Sequence, residues 1–375
     1  MMNENRRTRS AKHNFIFFLM LLLVACSGQD GNGKEPVPDA DFPLERKWVY
    51  QGNKKIEAVS ANQDVIALTT DDKIVAVTAE NGSLLWDLPF KVDKRFSPYL
   101  LTGDGIVIAT NMKEMIAINS KTGQIAWKVQ ATDENPFGFK VDHVSANYVV
   151  AERTASWALE VYDLQTGEML WDTFGNRGGA GVHVDETHNL LLIVGGRFSP
   201  RMFDLKTGEL LSQQERFTHE SSAYGFPYVY YVRNEGKEIA VAVSGLDLRT
   251  MEEQWSFYIG DKIYQLTLAG DKLLASGEDG LYVLSKDGAL LWKADGNHLG
   301  EGINEKTLGI GETIFATVRN TGKIYAWQAD GQQIGALSFP GKGGLKQIFG
   351  TGVNIYSVNG LLLVVNDDTL YVYGP

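Results

Sequence analysis

The chain has 375 residues, with 35 Lys+Arg against 46 Asp+Glu, a formal net charge of −11 and a hydrophobic fraction of 44%. That is a globular composition, and an acidic chain with no long basic run lacks the phosphate-neutralising surface on which nucleic-acid binding depends. A single cysteine, Cys26, excludes an intrachain disulfide, a Cys-based zinc site and a thiol redox pair, while 40 Gly against 10 Pro suits many tight turns between short strands.

In chain order, Arg6, Arg7, Arg9 and Lys12 form a basic start, and an apolar run of 11 residues follows from Phe15 to Ala25. A bilayer span needs roughly 20 apolar residues, so this run predicts the core of a signal peptide over 1–25. It closes on Leu23-Val24-Ala25-Cys26, which resembles the lipobox of bacterial lipoproteins. The resemblance implies that Cys26 is diacylated and becomes the mature N-terminus of an exported protein, anchored by lipid to a membrane outside the cytoplasm. In a Gram-negative cell that is the outer membrane, because Ser27 replaces the Asp that commonly retains lipoproteins at the inner one. Removing four basic residues and one Glu leaves 31 against 45, a mature net charge of −14. Residues 26–45 then read as a lipid anchor and flexible linker, rich in Gly, Asp and Pro.

Arg46–Tyr50 is a strand with no hairpin partner before it. Beyond it one phrase recurs: an apolar strand, a polar turn, then a strand carrying Trp. The turn residues are Gly82, Gly123, Gly167, Gly208, Met251, Gly288 and Gly331, spaced by 41, 44, 41, 43, 37 and 43. Four residues after each stand Trp86, Trp127, Trp171, Ser212, Trp255, Trp292 and Gly335. Two further strands precede each phrase, such as Val65–Leu68 with Lys73–Val77 around Asp71-Asp72, and Leu273–Ser276 with Leu281–Leu284 around Asp279-Gly280. A short run such as Ile263–Leu268 supplies a fourth. Four strands in roughly 41 residues is the period of a β-propeller blade. The last repeat has only three strands, including Leu361–Val365 and Thr369–Tyr373. Arg46–Tyr50 supplies the missing outer strand, and Trp48 precedes Trp86 by 38 residues. The expectation is an all-β, eight-bladed propeller over 46–375, closed by the N-terminal strand joining the C-terminal blade near Tyr371.

The phrase Asp-Leu-x-Thr-Gly-x-x-x-Trp at Asp163–Trp171 resembles the tryptophan-docking repeat of the pyrroloquinoline-quinone (PQQ)-like propeller superfamily. Within that superfamily, an eight-bladed ring on a lipoprotein leash is similar to the propeller lipoprotein of the outer-membrane β-barrel assembly (Bam) complex, which is not an enzyme. The resemblance implies that Trp48, Trp86, Trp127, Trp171, Trp255 and Trp292 are structural docking residues at blade boundaries, with Ser212 and Gly335 as departures. The superfamily's quinoprotein dehydrogenases often carry a vicinal cysteine pair, which one cysteine cannot supply. No cofactor is therefore expected.

The sequence carries no P-loop, nucleophile-elbow, H-E-x-x-H or EF-hand pattern. His183, Asp185, Glu186 and His188 could ligate a metal but read more simply as a hairpin tip. Asp71-Asp72, Glu278-Asp279 and Asp367-Asp368 recur at equivalent turns, which turn propensity explains. Trp157 lies off the docking register and reads as a core or rim aromatic. Two function classes remain: a non-enzymatic scaffold for envelope proteins, and a quinoprotein-like or other propeller enzyme with its site in the central channel. For the scaffold, the links between blades are longer and more varied than the Thr-Gly turns and lie on the opposite face. They include Ala131–Lys140, Phe174–Gly181, Glu215–Pro227 and Phe339–Lys346. Arg177, Phe217 and Tyr224 are the expected partner-binding residues, being of types enriched at interface hot spots.

Overall fold

A computed structural model describes residues 36–38, 41–92, 99–111, 113–131, 138–154, 158–173, 181–195, 198–213, 221–234, 241–296, 303–318, 322–339 and 353–375. Cys26, Trp157, Arg177 and Phe217 lie outside the described residues. Eight antiparallel sheets follow one another along the chain, with strands in sequence order except where N-terminal strands join the last two sheets. Blade 1 is Ala58–Ala61, Val65–Thr69, Lys73–Thr78 and Leu84–Pro89, from the inner to the outer strand. Blades 2 to 7 repeat this order, with outer strands Ile125–Gln130, Met169–Asp172, Leu210–Gln213, Glu252–Tyr258, Leu290–Asp295 and Gln333–Ser338. Blade 8 takes Asn354–Val358, Leu361–Asn366 and Thr369–Gly374 from the C-terminus, and its outer strand is Glu45–Gln51. Val49 pairs with Tyr371 in that closing ladder. Closure leaves no blade with a missing neighbour, and so no wide sheet face open to water.

The middle strands read as unbroken apolar runs because each is covered on both faces by an adjoining blade. Val65–Thr69 and Ile106–Thr110 are buried at every position. The described core divides into eight clusters, one for each junction between consecutive blades. One of them joins Leu363, Val365, Leu370 and Val372 of blade 8 to Val59, Ile66 and Leu68 of blade 1, which seals the ring.

All eight outer strands carry a bulge at the residue before the docking position. A bulge turns two successive side chains to one side and re-aims the next. In blade 1, Leu84 and Leu85 therefore both face solvent and Trp86 turns inward. The same arrangement leaves Met169, Leu170, Leu210, Leu211, Leu290 and Leu291 exposed around the rim.

One part of the expected linker is structured. Val37–Pro38 pair antiparallel with Leu337 and Ser338, adding a fifth strand to blade 7. Phe42 then sets its ring 6.1 Å from Phe315 and 6.0 Å from Tyr373, both edge-on. With Leu44 it packs on the core between blades 7 and 8. The reading of residues 26–45 as wholly flexible is corrected at this point. Their Gly, Asp and Pro content hid two apolar side chains that a vacant notch receives.

Candidate partner-binding surface

Each docking tryptophan crosses to the next blade. The indole Nε1 atoms of Trp48, Trp86, Trp127, Trp171, Trp255 and Trp292 donate to the carbonyls of Ala79, Ser120, Leu164, Leu205, Lys286 and Ala329, at 2.7 to 3.1 Å. The platform beneath each ring is the turn glycine of the following repeat. A Cβ on Gly82, Gly123, Gly167, Gly208, Gly288 or Gly331 would lie 2.5 to 2.8 Å from the indole. These glycines thus meet two demands, a positive φ and close approach of an aromatic face.

The two departures have separate explanations. Ser212 in blade 4 faces a repeat whose turn residue is Met251, at φ 58. Ring and platform are lost together, and Met251 instead packs with Met202, Leu246 and Leu248. Gly335 in blade 7 faces the closing blade, where two separate ends of the chain replace the turn. A Cβ there would lie 2.7 Å from the Phe42 backbone, so the incoming N-terminal segment fills this notch. Trp327 also lies off the docking register, which sequence reading overlooked. It is 2% exposed and sits 6.3 Å from Trp292 in the core between blades 6 and 7.

The acidic turns serve the links between blades. The Asp72 and Asp71 carbonyls accept from Phe90 and Val92, those of Asp368 and Asp367 from Gly52 and Ile56, and that of Asp279 from Gly296. Links and acidic turns therefore share one face of the ring. The carboxylates of Asp71 and Asp72 meet Lys54 Nζ at 3.0 and 2.7 Å. Buried Glu160 pairs with Arg153 and accepts from the Tyr162 hydroxyl at 2.6 Å. In blade 5, Glu253 likewise takes Tyr231 at 2.6 Å and Arg233 at 3.1 Å. Glu160 and Glu253 are thus engaged within their own blades, and Asp71 and Asp72 by the link from blade 8.

Tyr224 requires a correction. It lies on the inner strand Ser222–Gly225 of blade 5, outside any link, and Phe226-Pro227 form the turn that follows. Leu248 donates to the Pro227 carbonyl, so this turn sits beside the Thr250-Met251 turn, on the face opposite the links. Ser222, Tyr224 and Phe226 alternate along a hairpin, so the expected link Glu215–Pro227 ends before them. The Tyr224 hydroxyl donates to Asp185 Oδ2 at 2.6 Å, and the same oxygen meets His188 Nδ1 at 2.8 Å. His188 stacks on Phe226, and His183 Nε2 meets Ser222 Oγ at 2.8 Å. These contacts join blades 4 and 5 where the docking tryptophan is missing. Burial, reinforced by nearby His143, pushes the His183 imidazole down to about 4. Burial alone pushes Asp185 up, but the bonds from Tyr224 and His188 hold it below the usual carboxylate range. Among the described residues no group of three His, Asp or Glu side chains is placed to hold a metal ion. Phe339 is likewise buried, between blades 7 and 8. Most of the link residues singled out for partner binding, 132–137, 174–180, 215–220 and 340–346, lie outside the described residues.

Residues 44–199 match the family model described as outer membrane protein assembly factor BamB. The chain is an eight-bladed propeller that resembles BamB. BamB from Moraxella catarrhalis superposes with a TM-score of 0.64 at 16% identity, covering 88% of this chain and 98% of that one. Saccharomyces cerevisiae Sqt1 gives 0.66 at 11%, over 87% and 98%. The quinohemoprotein alcohol dehydrogenase ADHIIG from Pseudomonas putida HK5 gives 0.64 at 13%, over 88% and 76%. At these identities the superpositions show a shared fold. No curated protein is significantly similar in sequence.

Proposed function

We propose that this protein is a non-enzymatic lipoprotein of the cell envelope, anchored through Cys26, whose propeller is a rigid scaffold for the assembly of outer-membrane proteins. The BamB family match over residues 44–199 carries this reading. The lipobox ending at Cys26, followed by Ser27, supports the same location. The rigid ring presents its varied links on one face, and loops on rigid scaffolds are where binding concentrates. Arg177 and Phe217 remain the proposed contact residues there. Depleting the protein from its own cells should lower the level of outer-membrane β-barrel proteins, and restoring the Cys26-bearing chain should recover it. Unchanged barrel-protein levels would overturn the assignment.

The quinoprotein dehydrogenase neighbour favours a second reading, an enzyme with a quinone in the channel. Titration with pyrroloquinoline quinone, followed by absorbance and equilibrium dialysis, separates the two. Stoichiometric saturable binding would favour the enzyme.

A further inference from the structure

We infer that the lipid leash leaves the propeller at the rim of blade 7, on the face that carries the links, and holds that rim against the bilayer. This rests on the reading of Cys26 as the lipidated residue. The outer strand of blade 7 runs from Gln333, at the turn end, to Ser338, at the link end. The added strand is antiparallel to it, with Val37 opposite Ser338 and Pro38 opposite Leu337. The chain therefore reaches the propeller at the link end and runs towards the turn end. Pro36 is already buried. Phe42 fixes the segment a second time, in the notch that Gly335 leaves open.

The attachment point sets the reach. Between Cys26 and Pro36 there are ten peptide steps, about 33–36 Å at full extension. A chain held only from Arg46 would have twenty, about 66–72 Å. The intervening sequence includes Gly28, Gly31 and Gly33, and a Gly-rich random coil of ten residues has a root-mean-square span of about 16–19 Å. Two attachments halve the reach and move it to one sector of the ring. In an eight-membered ring blade 3 is diametrically opposite blade 7, so its rim points away from the lipid. The occupant of the blade 7 rim is the bilayer that carries the diacylated cysteine.

The test uses the full lipidated chain in phosphatidylcholine vesicles with an energy acceptor on the headgroups. Apart from Cys26 the mature chain has no cysteine, so single donors can be placed by Lys323→Cys and Gln165→Cys. Lys323 is exposed at the link end of blade 7, and Gln165 is exposed at the turn end of blade 3. Transfer from position 323 should exceed that from 165 at least twofold. Replacing residues 36–42 by Gly and Ser at the same length should erase the difference while vesicle binding persists and circular dichroism stays native. Equal transfer from both sites in the bound parent protein would overturn the inference. No vesicle binding, with the Cys26→Ala variant indistinguishable from the parent, would instead overturn the lipidation reading on which it rests.

Discussion

Gly167→Ala tests whether the turn glycines are docking platforms or merely turn formers. Gly167 has φ 71, and a Cβ there would lie 2.5 Å from the Trp127 ring. Gly105 has nearly the same φ, 69, with nothing within 4 Å. Placing Ala in the left-handed region costs about 1–2 kcal/mol at either site. At Gly167 the indole must also move. Trp127 is 9% exposed and donates to Leu164 at 2.8 Å. Removing a buried Trp outright costs about 3–5 kcal/mol, so partial displacement should add about 2–4 kcal/mol. Guanidinium unfolding followed by circular dichroism reads the difference as a midpoint shift at constant slope. Gly167→Ala should lose roughly twice or more the stability lost by Gly105→Ala. In a Trp127→Ala background the cost at Gly167 should fall to the backbone part alone, because residues in contact do not add. Equal costs at the two glycines, or a cost at Gly167 undiminished without Trp127, would refute the platform argument.

Phe42→Ala should lower stability by about 1.5–3 kcal/mol, since it empties the notch between blades 7 and 8; a midpoint within error of the parent would refute the second attachment. Acid should weaken the protein well above the carboxylate range. The unfolded chain protonates His183 near pH 6.5, and the folded chain refuses the proton until about pH 4. Its contribution is therefore complete above that window and falls through it as pH drops, by up to about 3 kcal/mol. Burial lowers His143 in the same direction. His183→Asn should flatten the profile of stability against pH between 6.5 and 4, and an unchanged slope would contradict the argument. Tyr224→Phe deletes a hydroxyl held by Asp185 and should cost about 1–2 kcal/mol in unfolding free energy. A change confined to partner capture, with the melting temperature untouched, would return Tyr224 to the binding surface.

The fold was legible in the sequence because a propeller writes its period into the chain. Turn glycines and tryptophans recur every 37 to 44 residues, and an odd strand at each end leaves ring closure as the consistent solution. The pairing of Val49 with Tyr371 agrees with that solution. What stayed hidden were relations between repeats. Each Trp belongs to its own blade, yet its platform is the glycine of the next. Ser212 and Met251, taken one repeat apart, carry that signal, because both partners change together. The role of Gly335 needed three dimensions, since its occupant Phe42 is nearly three hundred residues away. Tyr224 misled because a two-residue hairpin turn at Phe226-Pro227 looks like the end of a long loop. The acidic turns drew attention as carboxylates, although their carbonyls do the structural work. Partner contacts are the least legible feature. A propeller fixes where its links emerge, while the link sequences follow no repeat and so carry no periodic signature.

The scaffold account turns on physical association at the envelope. The most direct measurement is affinity capture of the full lipidated chain from mildly solubilised native membranes, with the co-purifying proteins identified by mass spectrometry. The account predicts that components of the outer-membrane β-barrel assembly machinery co-purify in near-stoichiometric amounts, and that Arg177→Ala with Phe217→Ala reduces them without shifting the melting temperature. Capture of the intact, lipidated protein with no such component would contradict it.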